Sequence, residues 1–144
     1  MQHTRLLGAA AALAATAALL APVPALADGR PFSTDLAGIN EPGGGDPDGS
    51  GTAHVWVNVG LSEVCYHLVV SALDPVVGAH IHSAPAGVNG PVVVPLGAPV
   101  SGTSSGCVAV EKSLAKAILK SPQAFYVNVH TTVYPGGAIR GQLG

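Results

Sequence analysis

The sequence predicts an all-β protein, an antiparallel sandwich or barrel with one short helix. β-Branched and aromatic residues alternate with polar residues in short runs, and clusters of Gly, Pro, Asn and Asp separate these runs. Alternation of this kind is typical of half-buried strands, and closely spaced strands joined by turn residues favour a sandwich or a barrel. We predict strands near residues 32–40, 53–60, 63–71, 77–83, 91–95, 105–111, 124–131 and 137–143.

The stretch "EKSLAKAILKSP" is the segment with helical spacing. Its apolar residues Leu114, Ile118 and Leu119 fall on one face of a helix, as in an amphipathic segment. Ser121-Pro122 ends the pattern, because proline cannot continue a helix. The helix is therefore predicted at about residues 111–120.

Alternation along the strands also predicts which side chains share a face. In "AHVWVNV" the valines point one way and the histidine, tryptophan and asparagine the other, while "AHIHS" sets Ile81 against His80 and His82. If the apolar stripes face the core, every histidine of the predicted strands points away from it: His54, His67, His80, His82 and His130.

Residues 1–27 have the pattern of a secretory signal peptide. Arg5 precedes an apolar Ala/Leu run that ends at Ala21, and Ala25-Leu26-Ala27 forms a small-residue cleavage site. The run is shorter than the roughly 20 residues of a spanning helix, so we expect cleavage near Ala27 rather than a membrane anchor. Residues 28–144 then form a single exported domain without an integral membrane segment.

The charge balance argues against nucleic acid as a partner. The whole chain has six Lys and Arg residues against eight Asp and Glu, and cleavage would remove Arg5 from the positive side. Binding to phosphates needs clustered cations, and the remaining basic residues are few and spread along the chain.

The chain contains two cysteines, Cys65 and Cys107, which both lie in predicted strands. For a protein that enters an oxidising compartment, a disulfide between neighbouring strands is the simplest interpretation. The alternative is two buried free thiols.

Three stretches carry a family resemblance: "LAGINEPGGGDPDGSGTAHVWVN", "GAHIHSAPAGVNGPVVVPL" and "FYVNVHTTVYPGGAIRGQL". In this order they closely resemble the chordin-type (CHRD) domain, from about Phe32 to Leu143. The residues that we take as the family motif are Gly87, Asn89, Gly90, Pro91, Asn128, Arg140 and Gly141.

The resemblance implies an extracellular β domain. Such domains are repeated in the animal chordins that bind bone morphogenetic proteins and occur singly in exported bacterial proteins. It further implies an immunoglobulin-like barrel with a distant similarity to copper/zinc superoxide dismutases. Many members carry Glu where this chain has Ala138, so whatever contact that Glu makes in them is missing here.

His80 and His82 form the candidate metal site. One residue apart on a strand, both imidazoles lie on the same face about 7 Å apart and can bind one copper or zinc ion if an adjacent strand supplies a third ligand. The similarity to dismutases implies His130 as that third ligand, and strand order decides whether His67 or His54 is a fourth. The loop that follows, residues 83–106, has no histidine or aspartate, which excludes a zinc-bridged dinuclear site.

The alternative for these histidines is ordinary hydrogen bonding, to the backbone or to neighbours such as Asn128 and Asn89. Arg140 is expected to pair with a surface carboxylate. The chain has no G-x-S-x-G motif and no recognisable pair of catalytic acids, so catalysis by a nucleophile is not predicted. The sequence favours a non-enzymatic structural or ligand-binding module for an unidentified extracellular ligand or protein, with a mononuclear copper or zinc protein that has a dismutase-like site as the alternative.

Overall fold

The computed structural model describes residues 29–144 as eight strands, one α-helix and two short 3-10 helices. The strands are β1 (Arg30–Ala37), β2 (Ser50–Asn58), β3 (Glu63–Ser71), β4 (Val76–Ser83), β5 (Val92–Leu96), β6 (Thr103–Ala109), β7 (Phe125–Thr131) and β8 (Ile139–Gln142). The helix α1 spans Lys112–Lys120, and the 3-10 helices span Gly38–Asn40 and Pro122–Ala124. The predicted signal peptide lies outside the described residues.

All eight strands belong to one sheet in the order β5-β4-β7-β8-β1-β2-β3-β6, and every paired neighbour is antiparallel. The two edge strands, β5 and β6, come into contact without forming a ladder, so the sheet curls into a nearly closed barrel. The predicted all-β class with one short helix is therefore confirmed.

The core is made by the apolar stripes of the strands. Val55 and Val57 of β2, Leu68 of β3, Ile81 of β4 and Val127 of β7 are all at most 1% exposed. The helix α1 packs against β2 and β3 and buries Ile118 completely. The alternating pattern thus predicts the inner face correctly, and the strand histidines lie on the outer face.

The cysteines confirm the disulfide interpretation. Cys65 of β3 stands directly opposite Cys107 of β6, and the two sulfur atoms are bonded. Among the described residues, no helix is long and apolar enough to cross a membrane.

The end of β1 differs from the sequence prediction. The strand was expected to reach residue 40, but Gly38–Asn40 turns into a 3-10 helix. The reason is a close backbone approach: a Cβ atom at Gly38 would lie 2.0 Å from the carbonyl oxygen of Asp46, and Gly45 donates its N–H to the Gly38 carbonyl. This turn lays the loop of residues 41–49 beside β8 and brings Glu41 toward the outer face of β7.

Candidate metal centre

Three of the outer-face histidines come together across β4 and β7. His80 and His82 lie on β4, and His130 on β7 stands opposite Gly78 in the register. Because Gly78 has no side chain, nothing from that position separates the His130 ring from the His80 ring, whose centroids are 4.9 Å apart. Each histidine contributes one ring nitrogen, and the three nitrogens all lie within 4.8 Å of one another.

The hydrogen bonds of His82 and His130 fix which nitrogen of each ring is free. His82 Nδ1 lies 2.9 Å from the carbonyl oxygen of Gly90, and His130 Nδ1 lies 3.0 Å from that of Pro135. Because a carbonyl oxygen can only accept, Nδ1 donates its proton in both rings and Nε2 keeps a lone pair. The two turns that carry Gly90 and Pro135 therefore select the tautomer whose Nε2 is available as a ligand.

These free nitrogens are buried and unpaired. Within the described part of the chain, His82 Nε2, His130 Nε2 and His80 Nδ1 have no hydrogen-bond partner. A buried polar atom without a partner costs about 1–3 kcal/mol, and native proteins contain few of them. Three such atoms lie on the three clustered histidines, each with a polar valence that no described residue satisfies.

The environment also favours neutral imidazoles. Burial lowers the pKa of His80 below its ordinary value, and the neighbouring His130 and His82 lower it further. Burial lowers the pKa of His130 too, although its hydrogen bond to Pro135 acts in the opposite direction. Only the neutral ring has a lone pair for a metal, so both shifts act in the direction that favours a metal ligand at His80 and His130.

The turn after β4 is held down by Arg140 of β8. Its guanidinium group donates to the carbonyl oxygens of Val88 at 2.6 Å and Pro85 at 3.2 Å, and to Asn89 Oδ1 at 3.2 Å. Arg140 is 1% exposed, so the expected surface ion pair is wrong. The cation is buried because the turn folds back over it and supplies the oxygen atoms that it needs.

Glycines allow that turn to lie so close to the sheet. A Cβ atom at Gly90 would stand 2.0 Å from the carbonyl oxygen of Ser83, and Gly87 has φ +75°, a conformation that favours glycine. On β8, a Cβ atom at Gly141 would stand 2.4 Å from the carbonyl oxygen of Asp35. Gly90 and Gly141 of the predicted motif thus mark places where two backbones touch, whereas Gly87 supplies a left-handed backbone conformation in the turn.

Tyr126 joins the arginine to the metal-site histidines. Its ring stacks on His82 with centroids 4.8 Å apart and planes 8° apart, and the Arg140 guanidinium carbon lies 3.3 Å from its centroid on the ring face. Its hydroxyl oxygen accepts the N–H of Gly90, the residue whose carbonyl holds His82. Tyr126 was not singled out from the sequence, although alternation puts it on the same face of β7 as His130.

A buried carboxyl group, that of Glu41, also lies at the outer face of β7. Glu41 Oε1 accepts a hydrogen bond of 2.6 Å from Asn128 Nδ2, and Asn128 stands opposite His80 in the register. Burial raises the pKa of Glu41, while the positive charge of Arg140 lowers it. Gly137 makes room for this contact, since a Cβ atom there would lie 2.5 Å from Glu41 Oε1. The loop of residues 41–49 thus places the Glu41 carboxyl group beside Gly137, the residue that precedes Ala138.

The sequence profile of the CHRD domain matches residues 32–143, nearly the whole described chain. The chain belongs to the CHRD domain family. No curated protein and no solved structure matches this CHRD domain. The similarity to copper/zinc superoxide dismutases stays a prediction.

The remaining candidate ligand, His67, lies elsewhere on the CHRD domain. It stands opposite His54 in the β2–β3 ladder, and their rings stack with centroids 6.4 Å apart. His54 accepts or donates a hydrogen bond at 2.9 Å to Ser33, while His67 approaches the Thr103 hydroxyl at 3.4 Å. The structure therefore separates the histidines into a three-residue cluster on β4 and β7 and an independent pair on β2 and β3.

Proposed function

We propose that this CHRD domain is an exported binding module that binds a single metal ion through His80, His82 and His130. Copper is the preferred ion. The observation that carries the proposal is a cluster of three histidines that each offer a ring nitrogen within 4.8 Å of the other two, and that each have one buried ring nitrogen without a hydrogen-bond partner. Nitrogen ligands about 2 Å from a common ion are about 3–4 Å apart. The cluster is therefore close to the size that a single ion requires.

The ligand set favours copper among the common ions. Neutral imidazoles suit copper and zinc, and a given nitrogen site binds divalent copper more tightly than divalent zinc. Among the described residues, the cluster contains no Asp, Glu or Cys atom that would add a hard oxygen or a thiolate ligand. The site is mononuclear, because three histidines cannot serve two ions with their usual ligand numbers.

We propose binding rather than catalytic turnover. Alignment with dismutases would put Arg140 where those enzymes have an arginine that guides the anionic substrate, a role that needs an exposed cation. Here it is 1% exposed and its guanidinium group is engaged by the turn and by Tyr126. Export with cleavage near Ala27 is part of the proposal, since the predicted signal peptide and the disulfide fit an oxidising compartment.

The experiment is metal binding by the protein expressed from the full chain and purified after export. The metal-free protein is titrated with Cu(I) and Cu(II) against chromophoric chelators, and with Zn(II) in parallel. We expect one copper ion per chain, with EPR of the Cu(II) form showing nitrogen ligands.

The histidines of the independent pair provide matched controls. His80→Ala and His130→Ala should each weaken copper binding by at least tenfold, whereas His54→Ala and His67→Ala should leave it unchanged. A wild-type protein that binds no copper, or equal losses in all four variants, would overturn the proposal. Superoxide consumption by the copper-loaded protein would contradict the restriction to binding.

A further inference from the structure

We propose that Tyr126 and Arg140 are positioning residues that hold the His82 imidazole in place for the metal before the metal arrives. The inference rests on the proposed metal site, which Tyr126 and Arg140 would influence through their contacts with His82. Its basis is a stack of three planar groups on the outer face, the His82 ring, the Tyr126 ring and the Arg140 guanidinium.

The stack restricts the plane of the His82 ring. His82 and Tyr126 are directly opposite in the β4–β7 register, so their side chains leave the sheet side by side. The nearly parallel rings, 8° apart, form an aromatic contact that a tilted imidazole would lose. On its far face the Tyr126 ring is covered by a guanidinium group at 3.3 Å, a favourable cation–π contact when the pair is desolvated.

A second set of contacts restricts the tautomer of His82. The Gly90 carbonyl accepts the Nδ1 proton, and the Gly90 N–H donates to the Tyr126 hydroxyl at 3.2 Å. Arg140 holds the same turn through Val88, Pro85 and Asn89. Tyr126 and Arg140 therefore each reach His82 by two routes, one through stacking and one through the turn that fixes its proton.

Preorganisation of this kind lowers the cost of binding, because the ring does not have to be ordered when the ion binds. Groups that orient metal ligands typically contribute 10–100-fold to metal affinity. His80 and His130 make no stacking contact with Tyr126 in the described structure. The effect should therefore be confined to His82.

The test compares Tyr126→Leu with Phe125→Leu. Phe125 is the neighbouring aromatic residue on β7, is 5% exposed and belongs to the hydrophobic core on the other face. Both variants replace a buried ring by leucine and both should lose stability. We expect Tyr126→Leu to weaken copper binding by about 10–100-fold and to change the Cu(II) EPR spectrum, while folded Phe125→Leu keeps the wild-type affinity and spectrum.

A metal-free readout separates this inference from the proposed function. Nitrogen-15 NMR of the histidine rings should show His82 as the Nδ1–H tautomer in the wild type and in Phe125→Leu, and a mixture in Tyr126→Leu. Tyr126→Phe keeps the ring and removes the hydroxyl group, so it serves if Tyr126→Leu does not fold, with a smaller loss of affinity. Arg140→Met should weaken copper binding, and Arg140→Lys should restore part of it.

Three outcomes overturn the inference. Tyr126→Leu could bind copper as tightly as the wild type, Phe125→Leu could lose as much affinity, or the His82 tautomer could be the same in both variants. In each case copper binding by the wild type leaves the proposed function standing. A wild-type protein that binds no metal removes both, even if the NMR shows the expected tautomer.

Discussion

Removal of the disulfide tests whether stability and metal binding are separate properties of this domain. The change is the double variant Cys65→Ala, Cys107→Ala. The bridge joins residues 42 positions apart, and loop-closure entropy for a loop of that length amounts to about 4 kcal/mol at 25 °C. For a domain of this size such a loss lowers Tm by about 10–20 °C. The proposed ligands lie on β4 and β7 and the bridge joins β3 to β6, so copper affinity should be unchanged.

Thermal and urea denaturation of the metal-free protein measure the first quantity, and chelator competition at a temperature where both proteins are folded measures the second. Wild-type protein treated with a reductant is an independent version of the same change. A loss of stability below about 1 kcal/mol would refute the loop-closure reasoning. Weaker copper binding in the folded double variant would show that the disulfide and the histidine cluster are coupled rather than independent.

Two further predictions concern the site. Because the pKa values of His80 and His130 are lowered in the folded protein, the unfolded chain binds protons at mildly acidic pH that the folded chain does not. The metal-free protein should therefore lose stability as the pH falls below about 6.5, the ordinary histidine pKa. Denaturation between pH 7 and pH 5 measures this loss. A constant stability over that range would show that the lowered pKa values of His80 and His130 do not affect folding. Gly90→Ala places a Cβ atom 2.0 Å from the Ser83 carbonyl oxygen, so the turn must move and take the Gly90 carbonyl away from His82. The Gly90→Ala variant should lose several kcal/mol of stability and bind copper more weakly. In the control Gly43→Ala, the new Cβ atom meets no atom within 4 Å, so stability and copper binding should not change. Equal effects in the two variants would show that the close approach at Gly90 is unimportant.

The strands and the helix could be predicted because each carries a local periodic signal. Alternation in "AHVWVNV" and "FYVNVHT" predicts which side chains face the core and which face outward, and the structure confirms this for both segments. The end of β1 could not be predicted, because Gly38 turns in response to the backbone of Asp46, a contact that no local pattern encodes.

Strand order was the missing information for the site. Alternation puts His67, His80, His82 and His130 on the outer face without saying which strands are neighbours. Only the placement of β7 beside β4, and of β3 between β2 and β6, separates His67 from the others. Resemblance to a family implied His130 as the partner of His80 and His82, and the structure brings these three together.

The supporting residues were harder to predict for a physical reason. Arg140 is a residue type that is normally exposed, and it is buried here only because the turn supplies three acceptor atoms. Tyr126 could be placed on the outer face, but its contact with His82 depends on an exact register. Neither fact is visible until the turn and the strands are assembled.

The outer face of β4, β7 and β8 is unusual for a sheet, since polar groups that normally meet water are covered by turns. Covering Arg140 is compensated by the oxygen atoms of the Pro85–Asn89 turn, and covering one nitrogen of His82 is compensated by Gly90. Three buried ring nitrogens of the clustered histidines have no hydrogen-bond partner among the described residues: Nε2 of His82, Nε2 of His130 and Nδ1 of His80. An ion bound by all three would stabilise the folded state and, through Gly90, the same turn that holds Arg140. Metal binding and closure of the turn are therefore expected to reinforce each other.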